Sequence, residues 1–401
     1  MIKNLYAIKG VVQDYAWGGS HFISSLLGIK TTATPKAEYW LGAHSNAPSS
    51  VITENGVVLL NDFIAADASS ILGDETARAF GRLPFLFKVL DVNDMLSIQV
   101  HPSKKSAELG FQRENELNIP LTARHRNYKD DNHKPEIMIA LSDFWLLHGF
   151  LPESKLKSVL EEVPEFNIFL PVFEKEGYKG LYKKVLELPI ETSNAILAPL
   201  AKRILPKYTS GVLQKASADY WAAKAIATAS DSTNYDIGIF SIYFFNLLQV
   251  QKGEGVFQDA GVPHAYLEGQ NIELMANSDN VLRCGLTPKH IDIPELLQHV
   301  VFEATHPEIL KGTLGTDGLE RKFDTVAKDF LLSELLLEQG VVFEAFSEAA
   351  IIMIVTKGKV KVSSAEDVLE VSKGGAFLLT AGVHYTIESN ATAVLYKATT
   401  P

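Results

Sequence analysis

The chain has 401 residues, a formal net charge of -11 at pH 7 and a hydrophobic fraction of 46%. This length predicts roughly two or three domains with sizeable cores, and the acidic balance argues against general nucleic-acid binding, because a phosphate backbone requires a basic footprint. A positive pocket for an anionic substrate must therefore be local.

The apolar runs of the chain bear on its location. Residues 1–10 lack the long apolar core of a signal peptide, and no later run is long enough to cross a bilayer. We therefore expect a cytoplasmic protein without a membrane partner. The single cysteine, Cys284, excludes an internal disulfide framework and a thiolate-rich zinc knuckle. We interpret it as a small buried apolar residue.

The first ninety residues predict short strands and one helix. Residues 1–60 read as strands and turns, and residues 61–81 as a helix with a capping residue available at Asn61. The apolar run 83–90 predicts a strand that contains one cation, Lys88. Its ammonium group either reaches water at a sheet edge or contacts a ligand.

A polar pair stands in the next predicted strand, 96–102. Side chains alternate across a strand, so Ser97, Gln99 and His101 share one polar face, and the apolar residues between them face a core. Pro102 cannot donate a ladder hydrogen bond and ends the strand. His101 is thus expected at the rim, where a ligand can reach it.

A polar, charged segment follows at residues 103–132. Ser103 is well placed as the N-cap of a helix that ends near Asn115, and residues 124–132 indicate an exposed loop. Connections of this length often have functions. One hypothesis is a partial lid over a site, and the alternative is a solvated surface loop.

Two later segments offer groups that match the polar strand. Glu136 opens the apolar run 136–140, and His264 follows a turn. Together with Gln99 and His101 they form a possible ligand set for a divalent ion such as zinc, with one position open to water or substrate. A lone histidine is more often a hydrogen-bonded core or surface residue, and glutamine is an uncommon ligand, so the residues alone leave both interpretations open.

The pattern becomes helical between residues 151 and 235. Apolar residues recur there at spacings of three and four. The segments with this spacing are 180–186, 193–205 and 218–229. The cluster Asp231-Ser232-Thr233-Asn234 predicts a capping or linker segment that returns to the main body.

The C-terminal part contains an internal repeat. Residues 252–264 resemble residues 373–384, and both segments precede alternating strand residues. With a hairpin signature at 356–362, residues 315–401 predict a small antiparallel β barrel or sandwich. His384 stands in the position that corresponds to His264, and we interpret it as structural rather than as a metal ligand.

These elements predict a mainly β fold with an α-helical insertion, in three domains. Residues 1–150 and 236–314 are expected to form a catalytic domain that contains the metal site. Residues 151–235 are expected to form the helical insertion domain, and residues 315–401 a second β domain.

Several blocks resemble the type I phosphomannose isomerases of the cupin superfamily. The blocks are Phe85-Leu86-Phe87-Lys88-Val89-Leu90, Leu96-Ser97-Ile98-Gln99-Val100-His101-Pro102, Asn132-His133-Lys134-Pro135-Glu136, Pro263-His264-Ala265-Tyr266-Leu267, residues 272–289 and residues 38–42. The resemblance implies cupin-type β jelly rolls in the catalytic and C-terminal domains. It also implies a sugar phosphate substrate and one zinc ion per chain, held by Gln99, His101, Glu136 and His264. It leaves the oligomeric state open, and a monomer is compatible with it.

The resemblance also implies roles for the other site residues in interconverting mannose 6-phosphate and fructose 6-phosphate. Arg283 would stabilise charge and handle a proton, and its alternative is a structural ion pair. Glu273 would be the general base, with His133 and Lys134 as rival candidates for ring opening and proton transfer. The residues expected to meet the phosphate are Ser97, Lys88 and Lys289, and no glycine-rich phosphate loop is present to support them. Tyr266 would line the pocket or pack in the core.

Two other functional classes remain at this point. Some cupins are iron-dependent dioxygenases with two histidines and one carboxylate, but Gln99 and the cations Arg283 and Lys289 favour a redox-inactive ion and a phosphorylated substrate. The second alternative is a sugar-phosphate-binding cupin without catalysis.

Overall fold

The computed structural model describes residues 3–229 and 233–401. Asp231 and Ser232 of the expected linker lie outside this range. The strands are β1 (Leu5–Lys9), β2 (Val11–Gln13), β3 (Glu38–Gly42), β4 (Ser50–Thr53), β5 (Gly56–Leu59), β6 (Phe85–Val92), β7 (Ile98–Val100), β8 (Glu136–Ala140), β9 (Phe144–Phe150), β10 (Phe245–Val250), β11 (Gly255–Gln258), β12 (His264–Ala276), β13 (Leu282–Gly285), β14 (Thr313–Leu314), β15 (Glu320–Phe323), β16 (Leu331–Leu337), β17 (Val342–Ser347), β18 (Ile351–Lys357), β19 (Lys359–Ser364), β20 (Val368–Ser372), β21 (Ala376–Leu379), β22 (Val383–Glu388) and β23 (Ala393–Thr399).

Helices lie between and beside these strands. They are α1 (Phe22–Leu27), α2 (Leu60–Ala66), α3 (Ala68–Leu72), α4 (Asp74–Phe80), α5 (Lys104–Glu116), α6 (Glu153–Glu162), a 3-10 helix (Pro164–Phe169), α7 (Leu170–Leu186), α8 (Ile190–Thr209), α9 (Ala218–Thr228), α10 (Gly238–Phe244) and α11 (Ile293–His299). In the described part of the chain, none of them is both long enough and apolar enough to span a membrane.

The long strand β12 organises the first β unit. Its first half pairs with β7 on one side and β9 on the other, and its second half pairs with β6 and β8. The register shifts between Tyr266 and Glu268, and Gly269 follows with φ +131°. Such a bulge lets one strand turn a corner between two sheets. β12 therefore belongs to both faces of a β sandwich, and residues at its two ends face one interior.

Two apolar layers position this sandwich. Side chains such as Leu90, Met138 and Tyr266 fill its interior. Residues of opposite parity, including Val89 and Ile137, pack outward against the second β unit. One face of each strand therefore lines the interior of the sandwich, and the other face packs against the second β unit.

The second β unit contains a nine-stranded and a four-stranded antiparallel sheet. The larger sheet includes β1, β4 and β5, because β1 pairs with β21 in the register Leu5 to Leu379 and with β4 on its other side. N-terminal strands therefore complete a sheet that is otherwise C-terminal. The three-domain division stays a prediction, and this pairing crosses its boundary.

The helical segment agrees with the expected pattern. Helices α6 to α9 occupy residues 153–228, and Trp221, Leu197 and Leu181 are buried in the core that they share with α10. The mainly β architecture with a helical insertion is confirmed.

Residues 60–80 form three short helices rather than the single one expected. Asp67 interrupts the first, and its carboxylate accepts a hydrogen bond from Ser70 N at 3.1 Å and caps the second. Gly73, with φ +89°, separates the second from the third. The expected cap at Asn61 was wrong, because the N-cap is Leu59.

The segment 103–132 begins as expected but is not a solvated loop throughout. Ser103 caps α5 by accepting a hydrogen bond from Ser106 N. Arg126 and Tyr128, however, are buried. The Arg126 guanidinium lies 3.2 Å from Glu114, and the Tyr128 hydroxyl donates to Glu295 at 2.6 Å. The polar composition of this segment did not indicate these internal contacts.

Candidate metal centre and active site

Three ligand-type side chains converge where β7, β8 and β12 meet. His101 follows β7, Glu136 opens β8 and His264 opens β12. Their ligand atoms all lie within 4.8 Å of one another. Nε2 of His101 is 3.6 Å from Oε1 of Glu136, and Nε2 of His264 is 3.4 Å from Oε2. All three residues are buried, so the predicted convergence is confirmed for these donors.

Backbone carbonyls orient both imidazoles. Nδ1 of His101 lies 2.8 Å from the carbonyl oxygen of Asn280, and Nδ1 of His264 lies 2.9 Å from that of Val262. Each Nδ1 must donate its proton to these acceptors, which leaves the Nε2 lone pair facing the cluster. Nε2 of His101 has no hydrogen-bond partner among the described residues. A buried acceptor without a donor is what a bound cation would satisfy.

The electrostatics of the cluster also fit a divalent cation. Burial, followed by the nearby Lys134, lowers the pKa of His101 to about 4, so its ring is neutral near pH 7. Burial opposes ionisation of Glu136, but Lys134 and then His101 hold its pKa well below the usual range. Two imidazoles that bind through Nε2 and one carboxylate would leave net positive charge on a Zn²⁺ ion held here.

Gln99 lies beside this cluster. It is directly opposite His264 on β12 and opposite Arg283 on β13, and residues opposite each other in a ladder share a face. Gln99, Glu136 and His264 line one cavity of about 60 Å³. Gln99 is therefore positioned as a possible fourth oxygen donor.

A row of buried charges forms the other wall of the cavity. Nζ of Lys88 lies 2.9 Å from Oε2 of Glu273 and 3.7 Å from Oε2 of Glu38. Burial raises the pKa of Glu273, and Lys88 opposes that rise. Burial alone would lower the pKa of Lys88, but Glu273, Glu38 and Glu136 together raise it. Lys88 therefore carries its charge inside the site, not at a sheet edge.

Tyr266 is both a core residue and a wall of the cavity. Its ring packs edge-on against Phe144 at 5.1 Å between centroids and belongs to the sandwich interior. Its hydroxyl has no hydrogen-bond partner in the described part of the chain. Burial, followed by Glu273, raises the pKa of Tyr266, so the hydroxyl is protonated.

The two rival proton-transfer candidates precede β8 and line different cavities. Lys134 lines the metal cavity, with Nζ 2.9 Å from Oε1 of Glu136. His133 lines a different cavity of about 630 Å³, between the two β units, where Nε2 lies 2.9 Å from Oδ2 of Asp329. The two residues are adjacent in the segment that leads into β8, and their side chains line different cavities.

Of the residues expected to bind the phosphate, Lys88 lines the small cavity, whereas Ser97 and Lys289 do not. Arg283 is half-buried on β13, and within the described residues no carboxylate lies at ion-pair distance from it, so the structural ion pair is not found. Burial lowers the pKa of Arg283. Burial and then the charge of Arg283 lower the pKa of Lys289. Ser97 is half-buried and does not line the cavity.

Sequence reasoning missed three residues around the site. Glu38 lines the cavity and accepts a hydrogen bond from Trp40 Nε1. A carboxylate in an otherwise apolar strand was the available signal. Asp279 lies 3.2 Å from His44, and Asn280 provides the carbonyl acceptor for His101. Only the folded chain brings these last two to their partners.

Comparison with known proteins gives a consistent result. Residues 5–153 match the family description "phosphomannose isomerase type I, catalytic domain". Mannose-6-phosphate isomerase of Escherichia coli K12 is 40% identical over 328 residues, which cover 80% of this chain and 81% of that protein. Mannose-6-phosphate isomerase 2 of Arabidopsis thaliana is 30% identical over 99% of this chain and 93% of its own length.

Solved structures agree with these relatives. A crystal structure of mannose 6-phosphate isomerase from Salmonella typhimurium, bound to substrate (fructose 6-phosphate) and zinc, superposes with a TM-score of 0.88 at 33% identity and covers 99% of this chain and 100% of its own. The expected fold of cupin-type β jelly rolls with a helical insertion is thereby confirmed. Sequence, fold and the converging donors together establish that this chain belongs to the type I phosphomannose isomerase family.

Proposed function

We propose that this protein is a zinc-dependent aldose-ketose isomerase that interconverts mannose 6-phosphate and fructose 6-phosphate. The observation that carries the proposal is the buried convergence of His101, Glu136 and His264, in a family member whose relatives are mannose-6-phosphate isomerases. The substrate is a small sugar phosphate. The oligomeric state stays open, and a cytoplasmic location remains a prediction from the sequence.

The reaction moves a proton between C1 and C2 through an enediol, so charge develops on O1 and O2. Zinc held by Gln99, His101, Glu136 and His264 would supply positive charge for these oxygens. Lys134, 2.9 Å from Glu136, keeps that ligand ionised and adds a second cation at the site. Because the cavity is buried, its fixed charges act on the substrate with little screening by water.

We assign the general base to Glu273. It is 3% exposed, lines the metal cavity, and has a pKa raised by burial. A carboxylate with a raised pKa removes a carbon-bound proton more effectively near neutral pH than an ordinary one. Lys88 hydrogen-bonds one oxygen of Glu273 at 2.9 Å and fixes its orientation. Lys134 and His133 are the rivals, and the contact of His133 with Asp329 in another cavity favours Glu273 over it.

We assign the phosphate to the side of the site formed by β7 and β13. Arg283 is opposite Gln99 in the ladder, and its charge lowers the pKa of Lys289. Ser97 precedes β7 on the same face and offers a hydroxyl donor. An anion between these groups would neutralise two cations that otherwise repel each other.

The two alternatives differ from the proposal in measurable ways. Two histidines and one carboxylate also suit the iron of a dioxygenase. The family relatives and the buried cations Lys88 and Lys134 favour isomerisation of a phosphate ester. A binding protein without catalysis would retain the ligands but lack turnover.

The test is a metal-replacement assay with mannose 6-phosphate. Protein stripped with a chelator is expected to be inactive and to regain isomerisation, followed by coupled detection of fructose 6-phosphate, on adding one equivalent of zinc. Oxygen uptake with iron and no isomerisation with zinc would support the dioxygenase instead. Sugar phosphate binding without turnover would support the non-catalytic alternative.

A further inference from the structure

The backbone of Asn280 contacts His101, one of the proposed zinc ligands. The carbonyl oxygen of Asn280 accepts the hydrogen bond from Nδ1 of His101 at 2.8 Å, and Asn280 is fully buried. The direction of the His101 lone pair therefore depends on where this carbonyl lies.

The side chain of Asn280 joins two separate segments. Oδ1 accepts hydrogen bonds from the backbone N of Lys129 at 2.7 Å and of Asp130 at 3.3 Å. Nδ2 donates to the carbonyls of Asp130 at 2.8 Å and Asn132 at 2.9 Å. The carboxylate of Asp130 completes the junction by accepting from Ser278 Oγ at 2.7 Å. Every donor and acceptor of the Asn280 amide group is thus used.

The joined segments carry the site. Residues 129–132 lead directly into Lys134 and Glu136, and residue 280 leads into β13 with Arg283. Building on the proposed zinc site, we propose that Asn280 is a positioning residue, whose amide fixes the carbonyl that orients His101 and sets its distance from Glu136. It touches neither the metal position nor the substrate.

The junction requires an amide rather than a carboxylate. An aspartate at this position would keep the size and the acceptor of Asn280. It would, however, turn an oxygen toward the carbonyls of Asp130 and Asn132, and toward the Asp130 carboxylate that lies 3.3 Å from Nδ2. Repulsion among these oxygens would displace residue 280 and its carbonyl.

The test measures zinc affinity directly, by competition with a chromophoric chelator. Asn280→Asp is expected to bind zinc about 10- to 100-fold more weakly than the wild type, as for other residues that orient a ligand. The visible spectrum of the cobalt-loaded variant should also differ, because ligand geometry changes. The matched control is Asn246→Asp. Asn246 is also buried and donates to the carbonyls of His148 at 3.1 Å and Phe150 at 3.0 Å, but it supports no metal ligand's imidazole.

The control is expected to lose comparable stability while it keeps its zinc affinity and cobalt spectrum. An Asn280→Asp protein with zinc affinity within twofold of the wild type would overturn the inference. If that variant does not fold, Asp130→Asn removes one acceptor from the same junction, and unchanged affinity there would overturn it equally. A wild-type protein that binds no zinc would overturn the proposed function. Zinc binding by the wild type together with unchanged affinity in Asn280→Asp would overturn only the inference about Asn280.

Discussion

The row Glu38, Lys88 and Glu273 allows a quantitative prediction about Lys88→Met in the metal-free protein. Methionine fills nearly the same volume as lysine, so the change removes the charge and little packing. At an effective dielectric constant of about 20, the attraction between charges 2.9 Å apart is roughly 6 kcal/mol. Breaking a buried pair in this way typically costs about 3–5 kcal/mol, because the remaining charge has no partner.

The comparison variant is Glu273→Gln, which should cost only about 1 kcal/mol. Its amide still accepts a hydrogen bond from Lys88, and Glu38, 3.7 Å away, still balances the cation. The asymmetry arises because one cation serves two carboxylates. Adding Glu273→Gln to Lys88→Met should restore part of the lost stability, since one unpaired buried charge is removed.

The assay is urea unfolding in the presence of chelator at several pH values. Loss of Lys88 raises the pKa of Glu273 further, so the native state retains a proton that the unfolded chain releases near pH 4.3. Stability of Lys88→Met should therefore fall as the pH rises above that value. Equal stability losses for Lys88→Met and Glu273→Gln, or a Lys88→Met profile parallel to the wild type, would refute this reasoning.

Three further predictions concern the site and its frame. His264→Ala should lose bound metal and activity together, measured as metal content after dialysis and as turnover. Glu273→Gln should keep stoichiometric zinc but lose about 10²- to 10⁴-fold in turnover, and ordinary turnover would remove Glu273 from the base role. Gly149→Ala should be destabilised well beyond the roughly 1–2 kcal/mol of a left-handed alanine, because its Cβ would lie 2.4 Å from Cβ of Thr305. Gly28→Ala is the control, because φ is +64° at Gly28 and +63° at Gly149, and no described atom lies within 4 Å of the methyl group added at Gly28. Equal unfolding midpoints for the two variants would contradict the steric argument.

Local patterns singled out His101, Glu136 and His264, which the structure brings together, and their role as zinc ligands remains a proposal. The Gln-x-His pair, a carboxylate that opens an apolar run and a histidine after a turn are all features of one strand or one turn. His133 and Lys134 are adjacent just before β8 but line different cavities, and no local pattern distinguished them.

Other features depend on contacts between distant segments. The pairing of β1 with β21 and the contact of Asn280 with Lys129 join residues more than 140 positions apart, and no local periodicity encodes such partners. Arg126 and Tyr128 looked solvated because their buried partners, Glu114 and Glu295, stand elsewhere in the chain. The helix expected at 61–81 failed for a local reason, since Gly73 ends one helix where the apolar spacing continues.

The pairing of β1 with β21 also constrains how the protein matures. During synthesis, Leu5 emerges from the ribosome long before its partner Leu379. Until then β1 has an open edge that other strands can pair with, and contacts this distant in sequence make folding slow. A chaperone that shields nascent chains should therefore raise the yield of active enzyme, and the last sheet should close only after translation is almost complete.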